Sequence, residues 1–205
     1  MTKLIIARHG NTFGPNDTAT RVGARTDLPL VESGEEQARK IGTWLQETRN
    51  IPDVVYASEL QRTQQTARIA IKQSGVPNPV YTLDIFNEID YGPDENKPEA
   101  DVIARIGEQA IQDWDEHTKV PDGWKVDPDQ IIQNWKDFAD QIRAHDDNET
   151  VLVVTSNGIA RFAPHILDDF EAFAKNHKIK LSTGALAVLE FDGSQWICND
   201  WNFKP

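Results

Sequence analysis

The first twelve residues constrain the fold more than any other stretch of the chain. Lys3-Leu4-Ile5-Ile6-Ala7 is a short apolar run with β-branched side chains, the pattern of a buried strand. It passes without a spacer into Arg8-His9-Gly10-Asn11-Thr12. A cation, an imidazole, a glycine and two small hydrogen-bonding residues directly after a core strand predict a ligand site at the carboxyl end of an open α/β sheet.

The remaining sequence supplies the alternation that such a sheet needs. Ala38, Ile41, Trp44 and Leu45 fall on one face of a helix expected over 32–49, with Ser33 as its N-cap and Glu36 completing a capping box. Residues 53–57 read as a second strand, and Ser58 is expected to cap a helix that carries Arg62 in its first turns. Residues 80–86 read as an edge strand because Pro77 and Pro79 precede them. Further helices are expected over 99–116 and 131–144, the latter on the spacing of Ile132, Trp135, Phe138 and Ile142. Residues 150–156 form the most apolar strand, and they run into Asn157-Gly158. A strand over 184–191 turns at Asp192-Gly193 into residues 195–198. The expected architecture is α/β, a three-layer sandwich with a mainly parallel central sheet and helices on both faces. All 205 residues fit one domain. Segment 93–130, acidic and proline-interrupted, is expected to be inserted between sheet elements and to cover the cleft.

Charge narrows the ligand. With 21 Lys and Arg against 33 Asp and Glu, the formal net charge is -12, which argues against nucleic-acid and anionic-membrane partners. An anionic substrate would need cations concentrated locally. The single cysteine, Cys198, excludes an internal disulfide and a cysteine-based metal cluster. His117, His145, His165 and His177 lack metal-ligand spacing, and there is no phosphate loop or dinucleotide fingerprint, so neither metal nor cofactor is expected. The amino terminus reads as a strand rather than a secretory signal, and no apolar run reaches membrane-spanning length. The expected location is the cytoplasm.

Three strand ends offer groups that could converge: Arg8 and His9, Arg62, and Asn157, with Glu88 on a fourth segment. Paired guanidiniums suit a phosphate, since each can donate two parallel hydrogen bonds. Their charge disfavours imidazolium and keeps His9 neutral and nucleophilic. A neutral imidazole can carry a phosphoryl group covalently, and a carboxylic acid such as Glu88 can protonate the leaving alkoxide.

The same residues resemble a known family. Arg8-His9-Gly10-Asn11-Thr12 is similar to the signature of the histidine phosphatases, in the branch that includes cofactor-dependent phosphoglycerate mutases. Gly23, Asp27-Leu28-Pro29-Leu30, Gly34 and Gln37-Ala38 resemble its next block. The stretches Ser58-Glu59-Leu60-Gln61-Arg62-Thr63 and Phe86-Asn87-Glu88-Ile89-Asp90-Tyr91-Gly92 resemble those that bring the second arginine and the acid. The resemblance covers most of the chain and implies a phosphoglycerate mutase-like fold. It also implies His9 as the phosphorylated nucleophile, Glu88 as proton donor and later base, Arg8 and Arg62 as phosphate ligands, and Asn11 in the pocket. Arg21 and Arg25 are candidates for the distal part of the substrate. In Thr155-Ser156-Asn157-Gly158, Asn157 stands where the family's second pocket histidine is expected. An amide can donate to a phosphate oxygen but carries no positive charge, and the turn from Gly158 adds backbone N–H groups.

A metal-independent phosphatase acting on a small phosphorylated metabolite or a phosphorylated protein side chain is therefore expected. Segment 93–130 lacks the paired arginines of the mutase branch, which places mutase-type phosphoryl transfer second. A phospholigand-binding protein with little turnover, on account of Asn157, is the third reading.

Overall fold

A computed structural model describes residues 1–145 and 148–205. Strand β1 (Thr2–Arg8) alternates its side chains between two cores: Leu4 and Ile6 face one, Ile5 and Ala7 the other, and all four are fully buried. Helix α1 (Glu32–Glu47) places Ile41 and Leu45 in the second core. Strand β2 (Val54–Ala57) leads into α2 (Gln61–Ser74), which ends on Gly75 in the left-handed region, as helix C-termini commonly do. Strand β3 is short (Val80–Thr82), and residues 84–86, expected to continue it, instead coil into a single tight turn that buries Phe86.

The helix expected over 99–116 is two helices, α3 (Glu99–Ile106) and α4 (Glu108–His117). Gly107 between them has φ +84°, a conformation that breaks helical propagation. Helix α5 (Pro128–His145) starts at a proline, whose missing N–H costs nothing in a first turn, and buries Trp135 and Phe138 in the first core. Strand β4 (Thr150–Thr155) is buried along nearly its whole length. A single turn α6 (Asn157–Ala160) follows, then α7 (Phe170–Asn176), β5 (Leu186–Phe191) and β6 (Trp196–Phe203).

The described residues form a six-stranded sheet in the order β3-β2-β4-β1-β5-β6. The pairs β2·β3, β2·β4 and β1·β4 are parallel, while β1·β5 and β5·β6 are antiparallel. The mainly parallel sheet and its two covered faces agree with the sequence reading. Two expected caps differ. Helix α1 is preceded by Val31 without a side-chain cap, and Ser33 instead accepts a hydrogen bond from the Asn11 amide at 3.2 Å. Helix α2 begins three residues after Ser58, and its Gln61 N–H is capped from a distance by the Asp27 carboxylate at 2.7 Å. No helix among the described residues is long and apolar enough to cross a membrane.

Candidate active site

The carboxyl ends of β1 and β4 lie side by side, with Arg8 paired to Thr155. One residue on, the His9 N–H donates to the Thr155 carbonyl at 3.0 Å, so the ladder continues past the strand ends. The chain then leaves the sheet through Gly10. A Cβ there would run into the Gly34 carbonyl at the start of α1, so only glycine permits this close crossing. The Gly10 N–H donates to Thr66 Oγ1 on α2 at 3.1 Å, which fixes the loop after the histidine to the helix that bears Arg62.

His9 is 6% exposed. Its Nδ1 lies 2.8 Å from the Gly10 carbonyl. A carbonyl only accepts, so Nδ1 carries the proton and Nε2 keeps its lone pair. Burial, then the neighbouring Arg8 and Arg62 charges, hold the imidazole well below its ordinary pKa of 6.5, against a smaller opposing effect of the Gly10 hydrogen bond. Glu88 is also buried, and burial raises its carboxyl above 4.5 despite Arg62, Arg8 and two backbone donors. Those donors are Ile89 N–H at 2.9 Å and Gly158 N–H at 3.3 Å.

Arg8, His9, Asn11, Arg21, Glu88 and Asn157 all line one cavity of about 370 Å³. Asn157 Oδ1 accepts from the Leu181 N–H at 2.9 Å, which leaves its Nδ2 donor free to turn to the cavity. Arg8 donates through Nη1 to the Leu181 carbonyl at 2.8 Å, and its buried Nε has no protein partner. Arg21 is held by Glu99 at 2.7 Å and lies over the rings of Trp124 and Tyr91.

Three expected site residues are not in the cavity wall. Arg62 is fully buried and is not part of the cavity wall. Its Nη atoms donate to the carbonyls of Thr26, Gly23 and Val22, and its Nε is unpartnered. Arg25 is also away from the wall, drawn off by Asp90 at 3.1 Å and the Gly92 carbonyl at 2.6 Å. The Gly158 N–H points at Glu88 rather than at the cavity, and a Cβ on Gly158 would strike that carboxylate.

Sequence reasoning did not single out the buried polar residues Ser156 and Arg161, which also lie outside the cavity wall. The β1·β4 register sets Ser156 level with His9 and Asn157 one residue beyond. Ser156 is fully buried and its Oγ has no partner. Arg161 is fully buried, lies 4.5 Å from the Trp114 ring and donates to Asp115 at 3.3 Å, while its Nε and Nη1 are unpartnered. Counting residues from the ends of the two apolar runs would have found Ser156; nothing local marks Arg161. Among the described residues, no group of three or more His, Cys, Asp and Glu side chains is placed to hold a metal ion.

A family model for histidine phosphatases of branch 1 matches residues 4–204. The chain belongs to the histidine phosphatase superfamily. Within it, the chain is 28% identical over 152 residues to a 2,3-bisphosphoglycerate-dependent phosphoglycerate mutase of Tropheryma whipplei, an overlap of 69% of this chain and 68% of that protein. It is 32% identical over 122 residues to phosphoglycerate mutase 1 of Saccharomyces cerevisiae, covering 59% of this chain and 49% of the yeast enzyme. The chain thus spans about half to two thirds of the length of these histidine phosphatase relatives. In fold it matches a mycobacterial glucosyl-3-phosphoglycerate phosphatase with TM-score 0.80 at 18% identity, covering 99% of both chains. It also matches a phosphoserine phosphatase of Entamoeba histolytica, solved with 3-phosphoglyceric acid, with TM-score 0.75 at 19% identity over 100% of this chain and 98% of that one.

Proposed function

We propose that this histidine phosphatase hydrolyses a phosphomonoester by way of a phosphohistidine on His9. The observation that carries the reading is a neutral imidazole whose proton is pinned on Nδ1, facing the same cavity as a carboxyl group whose burial favours its protonated form. His9 Nε2 attacks phosphorus, the bond from phosphorus to the ester oxygen breaks, and Glu88 gives its proton to the leaving alkoxide. A water then attacks the phosphohistidine while the Glu88 carboxylate takes its proton, which releases phosphate and restores both groups. Arg8 and the Asn157 amide, both in the wall, are the donors offered to the phosphoryl oxygens. Arg62 serves mainly by its charge, from behind the wall. A neutral amide, Asn157, stands in for the family's second histidine. That Glu99, Trp114 and Asp115 line the cavity supports reading segment 93–130 as its cover within a single domain of residues 1–205. The substrate is a small phosphorylated metabolite, or a phosphorylated side chain, met in the cytoplasm without metal, cofactor, nucleic acid or membrane.

Purified protein incubated with a chromogenic aryl phosphate, with and without a chelator, tests this. Hydrolysis that survives chelation and is lost in His9→Ala is the expected result; hydrolysis that persists in His9→Ala overturns the mechanism. The curated mutase relatives favour a second reading, phosphoglycerate-type transfer. Isomerisation of 3-phosphoglycerate in excess of hydrolysis, with a bisphosphoglycerate primer, would select it. Saturable vanadate binding without turnover would mark a phospholigand-binding protein.

A further inference from the structure

The catalytic cavity shares two wall residues, Asp115 and Lys180, with a second and larger cavity of about 760 Å³. Their carboxylate and ammonium are 3.6 Å apart, and the side chains are 38% and 53% exposed. Such a solvated contact is weak, and because Asp115 is also held by the buried Arg161, Lys180 is the half of the pair that can give way to an entering group. The second cavity lies between the α3–α4 pair and the stretch around the end of α7. Ile103, Ile111, Ala174 and Ile179 form its apolar surface. Its charged residues nearly cancel: Glu108, Asp115 and Glu116 against Lys178 and Lys180. A near-neutral rim around a hydrocarbon surface does not select a second anion; it removes hydrocarbon from water. The catalytic cavity alone, at about 370 Å³, is at the low end for a small-molecule site.

We infer that the alcohol portion of the substrate carries an apolar tail, which passes the Asp115–Lys180 pair into the second cavity while the phosphate stays beside His9. The inference rests on the reading of the His9 cavity as a phosphate site. It gives α3 and α4 a task that their acidic surface does not suggest: Ile103 and Ile111 read the tail.

Two linear series of even chain length, ethyl to octyl, test it: alkyl phosphates for turnover and non-hydrolysable alkylphosphonates for binding by calorimetry. Wild type should gain up to about fourfold in kcat/KM, and in phosphonate affinity, for each methylene that enters the second cavity. Ile111→Asp should flatten both slopes. The slope is a ratio within one variant, so a change in overall activity does not obscure it, and the wild-type series stands even if that variant fails to fold. A flat wild-type profile with the esters still hydrolysed overturns the tail site and leaves the phosphatase reading standing. Rising phosphonate affinity without any hydrolysis does the reverse. No phosphonate binding at any length overturns the inference.

Discussion

At the scale of single residues, the site depends on two groups held in their uncharged forms by burial. In the proposed mechanism His9 has to be neutral to attack, so activity is expected to fall as pH drops through its lowered pKa, below 6.5. Glu88 has to be protonated to release the alcohol, so activity falls as pH rises through its raised pKa, above 4.5. The profile of kcat/KM against pH is therefore expected to be bell-shaped. Glu88→Gln should remove the alkaline limb and lower kcat by about 10²–10⁴-fold; an alkaline limb that persists in this variant would assign it to another group. Loss of one preorganised donor costs about 10²–10³-fold in a strong case. Asn157→Ala removes a neutral amide and is expected to cost about tenfold to a hundredfold in kcat/KM, measured on the same aryl phosphate. Arg8, His9 and Glu88 could be picked out in the sequence because each adjoins a strand or a short turn. Ser156 and the displacement of Arg62 could not, because both depend on strand register and on which carbonyls a long side chain meets across the fold.

Among the elements, the apolar strands and amphipathic helices were readable because one face or both are buried, and burial leaves a period in the sequence. What could not be read is how elements begin and end. Helix α2 draws its cap from Asp27, thirty-four residues earlier, so no local pattern marks its start. Asp27→Ala should lower stability by about 1 kcal/mol, as loss of a helix cap does, measured by denaturant unfolding. Because Arg62 is the second residue of α2, the same change should reduce kcat by more than its effect on stability explains. The break between α3 and α4 was equally silent, since a lone glycine is tolerated within many helices. Here φ at Gly107 is positive, and Gly107→Ala is expected to destabilise by about 1 kcal/mol through strain, although a Cβ there would meet nothing within 4 Å.

For the whole molecule, the buried carboxyl makes folding itself sensitive to pH. Between 4.5 and its raised folded value, Glu88 keeps its proton in the native state and loses it on unfolding. At this group the native state then binds more protons, so its contribution to stability falls as pH rises through that window. Replacement by glutamine removes the ionisable group, and the melting temperature of Glu88→Gln should decline less steeply than that of wild type over the same range. A parallel decline in both proteins would show that Glu88 is not its source.

The position of β1 between β4 and β5 has a further consequence, for how the molecule comes into being. His9 directly follows β1, yet neither neighbour of that strand exists until residues 150–155 and 186–191 have been made. Strands β2 and β3 can pair with each other earlier, on either side of α2. The strand that carries His9 must wait, its apolar side chains without a partner, until most of the chain is present. The surroundings of His9 therefore form only after these two distant strands are available. A chain cut between Glu88 and Thr150 would hold both His9 and Glu88 but lack both strands that flank β1.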